Sequence, residues 1–78
     1  MQDHSKCKQI RILILKFWEA PITDFNTSQL LVYVKTQMNI EYIMPDTILR
    51  IMRYLKADGL INYECLNRRQ MHYRKTAI

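Results

Sequence analysis

Apolar positions recur with helical spacing from the start of the chain. At about 100° per residue, Ile10, Leu13, Ile14 and Phe17 share one face, which predicts a first helix over residues 6–19. Ala20-Pro21 closes it, because the residue before a proline is pushed out of the helical region. Ile12 and Leu15 point to the far side of the same helix, and Trp18 falls between the two sets. The outer face of a surface helix is normally polar, so this second apolar set predicts that something covers it. Ile22 to Phe25 alternates and reads as a brief extended segment. Asn26 follows as an N-cap with Gln29 three residues later, the pattern of a capping box.

A second helix is predicted over residues 27–37, with Leu30, Leu31, Val32, Tyr33 and Val34 again giving a wide apolar girth. Residues 38–44 form an apolar-rich connection. Pro45 and Asp46 open a third helix over residues 46–58, since proline suits a first turn and a carboxylate favours the positive end of the helix dipole. Gly59, the only glycine, stands where a left-handed residue ends a helix. Ile48, Ile51, Met52 and Leu55 fall on one narrow arc and form the expected core stripe.

Beyond Leu60 the period changes to two. Ile61, Tyr63 and Cys65 alternate with Asn62, Glu64 and Leu66, and Met71, Tyr73 and Lys75 alternate with His72 and Arg74. The polar run Asn67-Arg68-Arg69-Gln70 reads as the turn of a β-hairpin over residues 60–75. The expected fold class is α+β, mostly α: a single domain over residues 1–78, with three helices and then a C-terminal hairpin.

Composition narrows the class. The 78 residues are 49% apolar with one glycine and two prolines. That excludes collagen-like, low-complexity and disordered chains and leaves one small domain, near the lower limit for a self-sufficient core. Two cysteines are too few for a disulfide scaffold. Cys7 and Cys65 are expected as free thiols, with a bridge within or between chains as the alternative. The longest apolar run, Ile10 to Trp18, is broken by Arg11 and Lys16 and falls short of the roughly 18 residues of a membrane span. Met1 to Lys8 is polar and does not read as a signal peptide, so a cytoplasmic location without a membrane partner is expected.

Charge then points to a partner. The formal net charge is +5. Residues 46–78 hold seven basic and three acidic side chains, so most of the excess lies in the second half. A basic surface of this kind suits a polyanion, nucleic acid first, and equally describes a merely soluble basic protein. The side of the third helix away from its core stripe carries Asp46, Arg50, Arg53 and Ala57, flanked by Thr47 and Tyr54. Arginine forks onto guanine O6 and N7, threonine meets the thymine methyl, and tyrosine reaches phosphate. Asp46 either accepts from cytosine N4 or orients an arginine. Read alone, the two arginines are also an ordinary solvated face. The hairpin adds Arg68 and Arg69 at its tip and Arg74 and Lys75 on its returning strand, with no acid from Leu66 to Ile78. The helix is expected in a major groove and the hairpin over the backbone or the neighbouring minor groove.

Three helices and a hairpin, with Thr47-Ile48-Leu49-Arg50 and then Leu55-Lys56-Ala57-Asp58-Gly59-Leu60-Ile61, resemble the winged helix-turn-helix DNA-binding domains, closest in style to MarR-like transcriptional regulators. Asn67-Arg68-Arg69 through Thr76 resembles their wing tip and returning strand, with Asn67 where those proteins carry an acid. The likeness covers residues 8–76. The chain lacks the extra helices that dimerise MarR-like proteins and form their effector pocket, its wing is shorter, and residues 38–44 are longer than a tight turn. The resemblance therefore implies the DNA-binding module alone, as in small viral, plasmid or phage regulators, with no small-molecule effector.

The expected function is sequence-specific binding of double-stranded DNA by a transcriptional regulator, a homodimeric repressor on a pseudo-palindromic operator. Dimer contacts fall to Ile12, Leu15 and Trp18. The alternative is a protein–protein interaction module of the same shape without DNA binding. No catalytic residue, cofactor or metal is expected. His4 and His72 have no metal-site neighbours, a Cys65–His72 pair on an open hairpin lacks a pocket and oxyanion donors, and one glycine makes no phosphate loop. Tyr33, Tyr42, Tyr54, Tyr63 and Tyr73 read as core or rim residues before base-stacking platforms.

Overall fold

The computed structural model describes residues 4–77, with side chains from Lys6 onward, so the start of the polar Met1 to Lys8 stretch and the side chain of His4 lie outside the described residues. The elements run α1 (His4–Glu19), β1 (Asp24–Asn26), α2 (Thr27–Met38), α3 (Pro45–Ala57), β2 (Tyr63–Asn67) and β3 (His72–Lys75). The fold is α+β and mostly helical. Its sheet has one strand more than a hairpin. The extended segment before Asn26 becomes β1, which pairs antiparallel with β3 and puts β3 in the centre of the order β1-β3-β2.

Local signals set the helix ends. The Asn26 side chain accepts from the Gln29 amide at 2.9 Å, and the Gln29 side chain accepts from the Asn26 amide at 2.9 Å, so the capping box is complete. Asn39 closes α2 in the left-handed region at φ 56°. Pro45 occupies the first turn of α3, and Gly59 follows its end at φ +76°, a conformation that costs glycine little.

The core lies between the three helices and the inner face of the sheet. Ile10, Ile14 and Phe17 come from α1, Leu30 and Val34 from α2, and Ile48, Ile51, Met52 and Leu55 from α3. Phe25 of β1, Ile43 and Ile61 of the connections, and Tyr73 of β3 close it. The core stripe read on the third helix is thus buried in full.

Two expectations need correction. Strand β2 starts at Tyr63, and Leu60 to Asn62 form an irregular connection, although Ile61 is buried. The pairing is Cys65 to Tyr73 and then Asn67 to His72, so the ladder bulges at Leu66. Met71 belongs to the turn at φ 52°, not to the returning strand. Its carbonyl accepts from the Thr27 amide at 3.2 Å, which ties the turn to the start of α2. The second apolar set of α1 is also largely covered by the chain itself. Trp18 packs edge-on against Phe25 and Tyr63, and its indole N–H donates to the Asn62 carbonyl at 3.1 Å. Leu15 is half-buried against the core, and only Ile12 stays 53% exposed.

Candidate nucleic-acid interface

Seven basic side chains follow residue 45, and the structure divides them sharply. Lys75 does not point to solvent. It lies on the inner face of β3, where its Nζ donates to the carbonyls of Phe17 and, at 3.1 Å, Ala20. The same ammonium sits 4.6 Å from the centre of the Phe17 ring and 5.6 Å from that of Trp18. It thus serves as the cap of α1, where a cation meets the negative end of the helix dipole. Partial burial lowers its pKa from the lysine value. Lys75, expected from the sequence among the DNA contacts, thus has its side chain engaged within the molecule, because period-two alternation sends odd-numbered positions of β3 inward.

Arg74 points outward but is matched. The register sets Asp24, Arg74 and Glu64 side by side across the three strands. Arg74 Nε lies 3.4 Å from Asp24 Oδ1 and its Nη1 lies 3.6 Å from Glu64 Oε1. Two carboxylates around one guanidinium leave that patch of sheet with no positive excess. Lys56 is held as well, donating to the Tyr63 carbonyl at 3.0 Å with its Nζ 4.6 Å from that ring centre.

On α3 the predicted residues are all present, and only some of them line the groove toward α1. Arg50 pairs with Asp46 at 2.7 Å, one turn away, and this hydrogen bond and charge raise the arginine pKa. Asp46 therefore orients an arginine, one of the two roles open to it from the sequence. Thr47, Arg50 and Tyr54 lean toward α1, where they line a groove with Lys8 and Arg11. Arg53, about 60° around the helix from Arg50, does not line that groove and acts electrostatically on the sheet. Burial raises the pKa values of Tyr63 and Tyr73, and the nearby positive charge of Arg53 pulls both back down. Arg68 acts on Tyr73 in the same sense.

The turn of the hairpin meets α3. A cleft of 240 Å³ joins Pro45 and Leu49 of α3 to Arg69, Gln70 and Met71. Asn67 folds the turn by accepting from the Gln70 amide at 3.1 Å. Among the described residues no acidic side chain pairs with Arg53, Arg68 or Arg69, and all three are exposed. The structure thus leaves Arg53, Arg68 and Arg69 exposed, lines the groove toward α1 with Thr47, Arg50 and Tyr54, and withdraws Lys75.

Sequence reasoning passed over the α1 side of the groove. Lys8 and Arg11 follow helical spacing with Lys6 near by, a signal that the apolar stripe of α1 overshadowed. Arg11 reaches Asp58 just past the end of α3 at 3.8 Å. Cys7 and Cys65 are exposed free thiols. Among the described residues no group of three or more His, Cys, Asp or Glu can hold a metal ion, and no helix is long and apolar enough to cross a membrane. No protein-family model, curated protein or solved structure matches this chain.

Proposed function

We propose that the chain is a winged helix-turn-helix domain that binds double-stranded DNA as a transcriptional regulator. In this reading α3 enters the major groove, and the β2–β3 turn is the wing that rests on the backbone. The observation that carries it is a set of three exposed guanidiniums with no acidic partner among the described residues, Arg53 on the helix and Arg68 and Arg69 on the turn that adjoins the start of that helix. Exposed cations without acidic partners suit a polyanion, and duplex DNA offers phosphates at a density to match. Arg50, held by Asp46, and Thr47 supply base-edge chemistry, and Tyr54 supplies a phosphate contact. A helix of this length reads few base pairs, so a two-fold pair of chains on a pseudo-palindrome completes the proposal. Of the three side chains expected to join such a pair, Ile12 is the one left open to solvent.

The test is selection from a random duplex pool, followed by anisotropy titration of the enriched site. A two-fold symmetric consensus, with affinity falling as salt rises, supports the proposal. Absence of any retained duplex at micromolar protein and low salt overturns it. The interaction-module reading would then gain, favoured by the groove between α1 and α3.

A further inference from the structure

The groove between α1 and α3 carries a chemistry that a duplex does not match. It measures 360 Å³ along Lys8, Arg11, Thr47, Arg50 and Tyr54. A second hollow of 450 Å³ continues it past Cys7, Thr47 and Arg50 toward Met44, with Lys6 at its edge. The floor is apolar, made of Ile10, Ile43, Ile51 and Leu55. Its shoulders are large apolar side chains left open to water: Tyr42 at 67%, Tyr54 at 61% and Met44 at 57% exposure. The rim is cationic. Its two nearby acids are already matched, Asp46 by Arg50 and Asp58 by Arg11, so Lys6 and Lys8 keep their charge unopposed among the described residues. A phosphate backbone would satisfy the rim and leave the shoulders wet.

We propose that this groove docks an acidic amphipathic helix of a partner protein. The apolar stripe of that helix would lie between the exposed Tyr42, Met44 and Tyr54, over the buried floor, and its carboxylates would face Lys6 and Lys8. The stretch of α3 from Thr47 to Leu55 accommodates two to three turns of such a helix, at about 1.5 Å rise per residue. Thr47, Arg50 and Tyr54 line this groove and also belong to the proposed DNA contact. Docking therefore withdraws them from a duplex, a consequence that rests on the DNA-binding reading, whereas the docking itself does not.

The probe is a labelled peptide of about three helical turns, with leucines on one face and glutamates elsewhere, titrated with the full chain. Micromolar binding is expected, with backbone amide shifts confined to Lys6–Arg11, Tyr42–Met44 and Thr47–Leu55. An analogue with lysine for glutamate is expected to bind about tenfold more weakly or worse, and so is the wild-type peptide to the Lys8→Glu chain. If Lys8→Glu does not fold, as judged by circular dichroism, Lys6→Glu takes its place. Equal binding of the lysine analogue overturns the proposal. So does equal binding of a peptide with serine for leucine, or amide shifts centred on the hairpin turn. In a second arm the peptide is added to a chain–duplex complex. Release of the duplex supports mutual exclusion, and a ternary complex overturns that consequence. A chain that binds peptide but never binds duplex removes the DNA-binding reading and leaves the docking site standing.

Discussion

Truncating Lys75 would strip the Phe17 and Ala20 carbonyls of a charged donor and the Phe17 and Trp18 rings of a cation. Lys75→Met keeps the stem and removes the charge. It should lower stability by about 1 kcal/mol, because two carbonyls lose a donor while the desolvation cost of the ammonium, seen in its lowered pKa, is also removed. Urea unfolding reads this directly, and an unchanged midpoint would remove Lys75 as the cap of α1. Two tyrosines supply a pH signature. Burial raises the pKa of Tyr63 and Tyr73 from 10.0, so their contribution is complete below the unfolded value and is lost as pH climbs through the folded ones. Lys75, lowered from 10.5, acts in the opposite sense as pH climbs toward 10.5, so the two effects overlap. The comparison is therefore made by difference: Tyr63→Phe should unfold less steeply above about pH 10 than the parent chain. None of this was visible in the charge count, which treats a capping lysine and a solvated arginine alike.

Among the elements, the two helix ends written most clearly in the sequence offer the cleanest tests. Asn26→Ala removes one half of the capping box and should cost about 1 kcal/mol by thermal or urea unfolding. A cost near zero would mean that the Thr27–Met71 bond alone sets the start of α2. Gly59→Ala meets no steric neighbour, so its whole cost comes from the backbone at φ +76°, about 1 kcal/mol. The capping box, Pro45 and Gly59 were legible because each acts within a turn of chain. β1 was legible only as an extended stretch. Three residues make no strand without a partner, and that partner, β3, lies near the other end of the sequence. The start of β2 was misplaced because Ile61 is buried through the connection it sits on and not through strand pairing.

Across the molecule, the cations behind the +5 net charge divide into those used within the fold and those without an acidic partner among the described residues. Under the proposed function this separation has a measurable form. Arg53→Ala and the pair Arg68→Ala with Arg69→Ala should each weaken duplex binding and flatten its salt dependence by about one unit of slope for every phosphate no longer neutralised. Arg74→Ala, which removes a charge already matched by Asp24 and Glu64, should leave that slope unchanged. If Arg74→Ala reduces the slope as much as Arg53→Ala, the division is wrong and the outer face of the sheet belongs to the DNA-binding surface.

Hydrophobic periodicity, helix punctuation and composition settled the helices, the inward stripe of α3 and the mostly helical class, because each depends on neighbours within a few residues. Which cations stay available, that Trp18 is held by its own chain, and that a third strand exists all depend on groups brought together from distant parts of the chain. Pairing of that kind is a property of packing: a side chain's charge is written in its residue type, but its partner is written in the fold.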